Sequence, residues 1–163
     1  MRKKLILDTA RKLFNEQGLS NVTIRKIAQE MKISSGNLTY HFQKREELVQ
    51  SIFEDLESIE IKFLGLYRQS SLNNNQLNNL MRSHAKAMFH YRFFWIDFVQ
   101  VGREDLNTQK KLDVLMQNRL DELDYEWANY LNQFLYLMVT SKVQFTSKAF
   151  ELHFKKLEDK VFS

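Results

Sequence analysis

The chain of 163 residues contains no cysteine and no proline, and it has only four glycines. Without cysteine, neither a disulfide scaffold nor a thiolate metal site can form, and this fits a reducing cytosol. The absence of proline and the scarcity of glycine remove the residues that most often interrupt helices. No apolar run approaches the length that spans a bilayer, and Asp8 interrupts the short run Leu5-Ile6-Leu7. We therefore expect a cytoplasmic chain with no signal peptide and no membrane contact.

Apolar residues recur at helical spacing along most of the chain, whereas the alternation typical of strands is hard to find. Hydrophobic residues make up 44% of the sequence, which is enough for a real core and too many for a disordered chain. The sequence predicts an all-α fold: an N-terminal three-helix head with a helix-turn-helix, followed by a C-terminal antiparallel helical body. We expect Gly18 to end the first helix as a left-handed cap. A long helix should begin near Lys44, with an apolar stripe through Leu48, Ile52, Leu56, Ile59, Phe63 and Leu66. The next helix should start at Leu77, and Thr108 should cap a long helix that runs to Met138.

Charged and aromatic residues are distributed in opposite ways. Residues 1–50 carry ten Lys/Arg and five Asp/Glu, whereas the rest of the chain carries 14 and 15, so the whole net charge of +4 comes from the first part. Because affinity for polyanions comes mostly from neutralising phosphates, this excess favours a nucleic acid there. A merely solvated basic surface stays an alternative. Of the 21 aromatic residues, 18 lie beyond residue 50, which suggests a body with a separate task.

The segment from Val22 to Leu48 has the pattern of two short helices joined by a tight turn. Thr23 and Ser34 stand where hydroxyls cap the free N–H groups of the two helices. The first helix has apolar residues at helical spacing, namely Ile24, Ile27, Ala28 and Met31. In the second helix only Leu38 and Phe42 look like core residues. Its other side chains are small or polar, which suits a helix that enters the major groove of DNA.

Several ordered motifs resemble the tetracycline-repressor-like (TetR) family of bacterial transcription regulators. They cover residues 1–50 and are ILDTARKLFNEQG, IRKIAQEM, Ile33-Ser34-Ser35-Gly36-Asn37-Leu38, Tyr40-His41-Phe42 and Arg45-Glu46-Glu47-Leu48. Thr39 and the pair Lys44-Arg45 depart from the residues usual in the family, but they keep hydrogen-bond donors there. The resemblance implies a helix-turn-helix DNA-binding domain at residues 1–46 and an effector-binding and dimerisation domain at residues 47–163. The chain is shorter than family members usually are, and residues 143–163 match least, so the expected homodimer follows from the resemblance alone.

The resemblance also implies which side chains meet the DNA. Asn37 is expected to bond an adenine edge and Arg25 a guanine or a phosphate. The whole expected set is Thr23, Arg25, Ser35, Gly36, Asn37, Thr39, Tyr40, His41, Lys44 and Arg45. Thr23 and Ser34 would cap their helices whether or not DNA binds, and Gly36 could simply relieve crowding.

The aromatic-rich body is expected to hold a small apolar or aromatic effector, because flat and flexible side chains suit apolar pockets. The expected pocket residues are Met88, Phe89, Trp95, Phe98, Trp127 and Tyr130. The possible polar anchors are His84, Asp97, Arg103 and Glu126. For each aromatic residue taken alone, a place in the ordinary core is the simpler interpretation.

No catalytic, cofactor or metal motif is present in the sequence. His84 and His90 are six residues apart and so face different sides of a helix, and there is no phosphate loop or nucleophile elbow. We therefore expect neither an enzyme nor a cofactor, but a repressor that binds double-stranded operator DNA and leaves it when an effector binds. The main alternative is a helical carrier of apolar ligands, or an interaction module, with an incidental basic head. A third alternative is an all-helical enzyme of the lipid or isoprenoid type. The sequence argues against it, because it lacks a motif of paired metal-binding carboxylates.

Overall fold

The computed structural model describes residues 2–69 and 72–123, together with residues 128, 129, 132, 133, 135, 136, 148, 152, 155 and 156. Within the two continuous ranges the chain forms α-helices and no strand, which confirms the predicted all-α fold. The helices are α1 (Arg2–Gln17), α2 (Ile24–Glu30), α3 (Ser35–His41), α4 (Arg45–Tyr67), α5 (Asn74–His90), α6 (Phe93–Ile96), α7 (Phe98–Glu104) and α8 (Leu106–Glu122). A short 3₁₀ turn at Leu19–Asn21 joins α1 to α2.

The head consists of α1, α2 and α3, and its caps are those that the sequence predicts. The hydroxyl of Thr23 accepts from the backbone N–H of Lys26, and that of Ser34 accepts from the N–H of Asn37. Gly18 follows α1 with φ 81° and ψ 149°, a region that is essentially reserved for glycine. These caps and the glycine turn fix the angle between successive head helices.

The body begins with α4, which crosses the predicted domain boundary without a break. Its buried face follows the predicted stripe through Leu48, Ile52, Leu56 and Phe63. The prediction that Leu66 extends this stripe was wrong, because that side chain is 47% exposed. After residues 70–71, the side chain of Asn73 and that of Gln76 cap α5 reciprocally, so α5 begins three residues before the predicted start at residue 77.

The helices after α5 are shorter than the sequence predicts. The dense apolar run after residue 92 divides into α6 and α7 at Asp97. The carboxylate of Asp105 caps α8 by accepting from the N–H groups of Asn107 and Thr108, so the predicted cap at Thr108 was wrong. The predicted single helix from residue 108 to residue 138 was also wrong, because Leu123 has the extended ψ of 142° and ends α8.

One hydrophobic core runs from the head into the body. Phe14 of α1 contacts Phe93 with 5.1 Å between ring centroids, and Phe53 of α4 contacts Phe94 edge-on at 5.6 Å. Among the described residues, no helix is long and apolar enough to cross a membrane, and no group of three or more potential metal ligands occurs.

Candidate functional site

The exposed face of α3 is built from small and polar side chains. Leu38 is fully buried and holds the helix on the head, whereas Ser35 and Gly36 are exposed at its N-terminal end. Lys32 lies in the turn before α3 with φ 56°, the left-handed conformation that reverses the chain between the two helices. Tyr40 is 85% exposed near the C-terminal end. This face therefore offers hydroxyl, amide and backbone groups to a partner while one side chain anchors the helix.

Asn37 is half-buried, and its amide oxygen is turned inward without a hydrogen-bond partner among the described residues. Thr39 is also half-buried, and its hydroxyl donates to the carbonyl of Gly36 at 3.2 Å. A bidentate contact with an adenine needs both ends of the amide, so the side chain of Asn37 has to rotate outward to make it.

Exposed cationic and polar groups flank α3 on the neighbouring elements. Arg25 lies exposed on α2, and Lys44 lies exposed at the N-cap of α4. His41 is half-buried and packs edge-on against Tyr40, with 5.2 Å between ring centroids. Thr23 is exposed, but its hydroxyl already caps α2. Of the predicted DNA-contact residues, Ser35, Gly36 and Tyr40 are thus exposed on α3, and Arg25 and Lys44 are exposed on the helices next to it in the chain.

Arg45 is placed differently from the rest of this set. Its guanidinium forms an ion pair with Glu104 of α7, in which Nε donates to a carboxylate oxygen at 2.9 Å. Its Nη1 donates to the carbonyls of Leu19 at 3.1 Å and Val22 at 2.9 Å. Because these bonds use most of its five N–H groups, Arg45 links the head to the body, and a phosphate contact from it would have to break that link.

Two further polar residues join the head to the body. The carboxylate of Asp97 accepts a hydrogen bond of 2.6 Å from the backbone N–H of Leu19. Asn15 of α1 donates to the carbonyl of His90 at 2.8 Å and accepts from the N–H of Phe93 at 3.1 Å. Sequence reasoning considered Asp97 as an effector anchor, whereas its bond to Leu19 places it at the head–body junction.

Four of the six predicted effector-pocket residues lie in the described part of the chain, and their surroundings differ. Trp95 is buried and its indole N–H donates to the carbonyl of Met88, which is fully buried. Phe89 is half-buried under the guanidinium of Arg92, and Phe98 is 37% exposed. Trp127, Tyr130 and the candidate anchor Glu126 lie outside the described residues. Met88 and Trp95 thus belong to the hydrophobic core, in agreement with the interpretation of these side chains as ordinary core residues.

A buried polar cluster, formed by Glu60, His84 and Arg119, lies where α4, α5 and α8 meet. Each of the three residues is only 2% exposed. One carboxylate oxygen of Glu60 accepts from Nε2 of His84 and from Nη2 of Arg119, both at 2.8 Å. The ring of Phe63 stacks on His84 with 3.8 Å between centroids, and the guanidinium of Arg119 lies over the ring of Trp95 at 5.3 Å.

The charges of the buried polar cluster follow from these contacts. Burial would raise the pKa of Glu60, but His84 and Arg119 outweigh it and lower the pKa to about 2. Burial lowers the pKa of His84 below its usual value, against the opposing effect of Glu60. At neutral pH the cluster therefore holds a carboxylate, a guanidinium and an uncharged imidazole.

Sequence reasoning singled out His84 but missed Glu60 and Arg119. The sequence does contain a signal for both residues, because each is a charged residue on the otherwise apolar face of its helix. Glu60 follows Leu56 by four residues, and Arg119 follows Leu112 by seven, so both occupy places where helical spacing requires an apolar side chain.

Two grooves reach the surface near these elements. The first is a cavity of about 140 Å³ between α4 and α8, and Glu60 is one of its lining residues. Its other lining residues are Glu57, Ile61, Leu64, Lys111, Val114, Leu115 and Asn118. The second is an open groove between α1, α4 and α5, and its lining includes the charged residues Lys4, Asp8, Arg11, Asp55 and Lys86.

Comparison with known proteins agrees with this architecture. Residues 6–52 match the family described as bacterial regulatory proteins, tetR family. An HTH-type transcriptional regulator of Staphylococcus aureus (strain bovine RF122 / ET3-1) is 26% identical over 142 residues, which cover 71% of this chain and 76% of that protein.

Two solved structures share the fold along almost the whole chain. A TetR-family transcriptional regulator from Marinobacter aquaeolei VT8 has a TM-score of 0.70 at 20% identity, covering 99% of this chain and 86% of that one. A transcriptional regulator (TerR/AcrR family) from Aquifex aeolicus VF5 has a TM-score of 0.68 at 16% identity, covering 99% and 98%. The chain thus has a head that matches the tetR family at residues 6–52 and shares its all-α architecture with these two regulators.

Proposed function

We propose that the protein is a cytoplasmic, non-enzymatic repressor that binds operator DNA through α3 and leaves it when a small effector binds the body. The observation that carries the proposal is the combination of an exposed polar face on α3 with a single helix, α4, that runs from beside that face to the buried polar cluster. A change at Glu60 therefore acts on the same rigid element that begins at Arg45.

The head–body contacts support the regulatory part of the proposal. An effector can weaken DNA binding only if it prefers a conformation that binds DNA poorly. Arg45, Asp97 and Asn15 tie the head to α5, α6 and α7, so a shift of the body helices moves the head with them.

A homodimer is part of this proposal. Two recognition helices held at a fixed separation read two half-sites about one helical turn apart, and one small head buries too little surface for tight specific binding. Sedimentation at micromolar concentration should give twice the mass of the 19.6 kDa chain. A monomer that binds isolated half-sites would contradict this part of the proposal.

The decisive experiment is selection of bound duplexes from a random DNA pool, followed by binding measurements on the selected site. Asn37→Ala should cost about 1–3 kcal/mol at one base position and leave nonspecific binding intact. The matched control is Asn21→Ala, which removes an exposed asparagine whose amide bonds within the head to the carbonyl of Gln17. An equal loss on all sequences would assign Asn37 to phosphate contacts, and a failure to select any sequence would favour a ligand carrier with an incidental basic head.

A further inference from the structure

We propose that the buried polar cluster recognises the effector, and that the effector is a small uncharged ring compound whose hydroxyl or similar group both donates and accepts a hydrogen bond. This inference rests on the proposed function, because it names the chemical class of the effector and the point where it binds.

The ion pair in the cluster is incomplete. A bidentate carboxylate–guanidinium pair joins two oxygens to two nitrogens. Here only one oxygen of Glu60 and Nη2 of Arg119 are joined, and this oxygen also accepts from His84. The second oxygen of Glu60, Nε of Arg119 and Nδ1 of His84 have no hydrogen-bond partner among the described residues. Buried polar atoms without partners are costly and rare, so three in one cluster call for a ligand group.

The unpartnered atoms specify the chemistry of that group. Nε of Arg119 is a donor and the second oxygen of Glu60 is an acceptor. A hydroxyl accepts from the first and donates to the second, thereby completing the pair. A group that only donates, or only accepts, satisfies one of the two atoms and leaves the other without a partner.

The balance of charge argues for an uncharged ligand. The carboxylate of Glu60 and the guanidinium of Arg119 cancel, and the imidazole of His84 is neutral at neutral pH. A carboxylate or an ammonium group would bring an uncompensated charge next to side chains that are only 2% exposed. Because burying an unpaired charge is far more costly than burying a hydrogen-bonded hydroxyl, the site discriminates against both ions.

The surroundings of the cluster favour a ring. The cavity of about 140 Å³ between α4 and α8 is lined by Glu60 together with the apolar side chains of Ile61, Leu64, Val114 and Leu115. A protein cavity of about 150 Å³ with apolar walls is known to hold benzene, so this volume suits one six-membered ring. Phe63 and Trp95 add flat surfaces around His84 and Arg119.

The first experiment compares four probes of similar size by calorimetric titration of the full chain: phenol, toluene, benzoate and benzylamine. Phenol should bind at least about tenfold more tightly than toluene, because toluene leaves the polar atoms unpaired. Benzoate and benzylamine should bind more weakly than phenol. Phenol should also weaken binding to the selected operator.

The second experiment removes the charges of the cluster. The double variant Glu60→Gln with Arg119→Gln should lose the preference for phenol over toluene. The matched control is Arg68→Gln with Glu122→Gln, which removes an ion pair between the same two helices, α4 and α8, at the surface. This control should keep the preference of the wild type.

A third variant tests the inference if the double glutamine variant does not fold. Apolar side chains of similar volume often replace a buried ion pair without loss of stability, so Glu60→Met with Arg119→Met is expected to fold. It should reverse the preference and bind toluene more tightly than phenol.

The outcomes separate this inference from the proposed function. A protein that selects an operator but binds phenol no better than toluene, or prefers benzoate, overturns the inference, and the cluster is then only a structural ion network. Phenol that binds tightly without changing operator affinity overturns it as well, because the site is then not the effector site. A protein that prefers phenol but selects no DNA sequence overturns the proposed function instead.

Discussion

Lys44 and Arg45 are adjacent cations with the same formal charge, but their surroundings assign them different tasks. Lys44 is exposed at the N-cap of α4, whereas the guanidinium of Arg45 donates to Glu104 and to two backbone carbonyls of the head. A charge that is already paired inside the protein neutralises a phosphate less well than a free one. The sequence alone places both residues among the phosphate contacts, so the distinction comes only from the structure.

Replacing each of these cations by methionine tests the distinction. Lys44→Met should reduce the slope of log affinity against log salt by about one and leave stability unchanged. Arg45→Met should lower the free energy of unfolding by about 1.5–3 kcal/mol, because Glu104 loses a charged hydrogen-bond partner. Its salt slope should stay that of the wild type. The reverse pattern, with the slope change at Arg45, would restore that residue as a phosphate contact.

Because of the buried polar cluster, the free energy of unfolding should decrease as the pH falls below neutrality. The pKa of Glu60 is lowered to about 2 in the folded chain, so its stabilising contribution is present above the usual value of 4.5 and is lost as the pH falls from 4.5 towards 2. The pKa of His84 is lowered as well, so the unfolded chain takes up that proton first, and stability already falls as the pH drops below 6.5.

Thermal unfolding between pH 7 and pH 5 measures the contribution of His84. The melting temperature of the wild type should fall over this range, and His84→Gln should make the fall shallower while keeping a hydrogen-bond donor for Glu60. Part of the fall should remain, because burial and the charge of Arg11 also lower the pKa of His90. Identical slopes for His84→Gln and the wild type would show that His84 does not titrate differently on folding.

Within the helical elements, Gly18 and Gly65 differ in whether the backbone conformation requires glycine. Gly18 ends α1 with φ 81°, where a side chain is strained whatever space surrounds it. Gly65 lies inside α4, and a Cβ there would meet no atom within 4 Å. Glycine is thus required at the first position and merely tolerated at the second.

The substitution to alanine should therefore have opposite signs at the two sites. Gly18→Ala should lower the free energy of unfolding by about 1–3 kcal/mol, as expected for a side chain in a sparsely populated backbone region. Gly65→Ala should raise it by about 0.5–1 kcal/mol, because alanine loses less conformational freedom in a helix. Urea unfolding of both variants measures the two changes. A destabilising Gly65→Ala would mean that this face of α4 is closely covered in solution.

The elements that local sequence rules specify were predicted best. The caps at Thr23 and Ser34 and the start of α4 depend on neighbours within a few residues, and the structure confirms them. Gly18 ends α1 with a positive φ, but its ψ of 149° lies outside the region of the predicted left-handed cap. Contacts between residues far apart in sequence could not be predicted, because nothing in a single sequence pairs Arg45 with Glu104 or Glu60 with Arg119. The start of α8 was missed since Asp105 and Thr108 are both good caps, and the carboxylate of Asp105 also takes the hydroxyl of Thr108.

For the whole molecule, the question is how the proposed effector in the body would change the affinity of α3 for DNA. The helix α4 contacts α1 in the head and α5 and α8 in the body. The Asn15 side chain adds a second connection, because it bonds to the chain between α5 and α6. A signal from the buried polar cluster can therefore travel along α4 and through the α5–α6 junction, in addition to the contacts of Arg45 and Asp97. Such a route is established only by measuring the coupling free energy when one connection is removed.

Asn15→Ala removes the second connection without touching α3 or the cluster. In the wild type, phenol should weaken operator binding by roughly 5- to 150-fold, the usual range of allosteric coupling, and operator should weaken phenol binding by the same factor. In Asn15→Ala both factors should shrink together, while phenol binding without DNA and operator binding without phenol stay close to wild type. Asn21→Ala, which breaks a hydrogen bond within the head only, should keep the full coupling. Full coupling in Asn15→Ala would show that the signal does not need the connection through the α5–α6 junction.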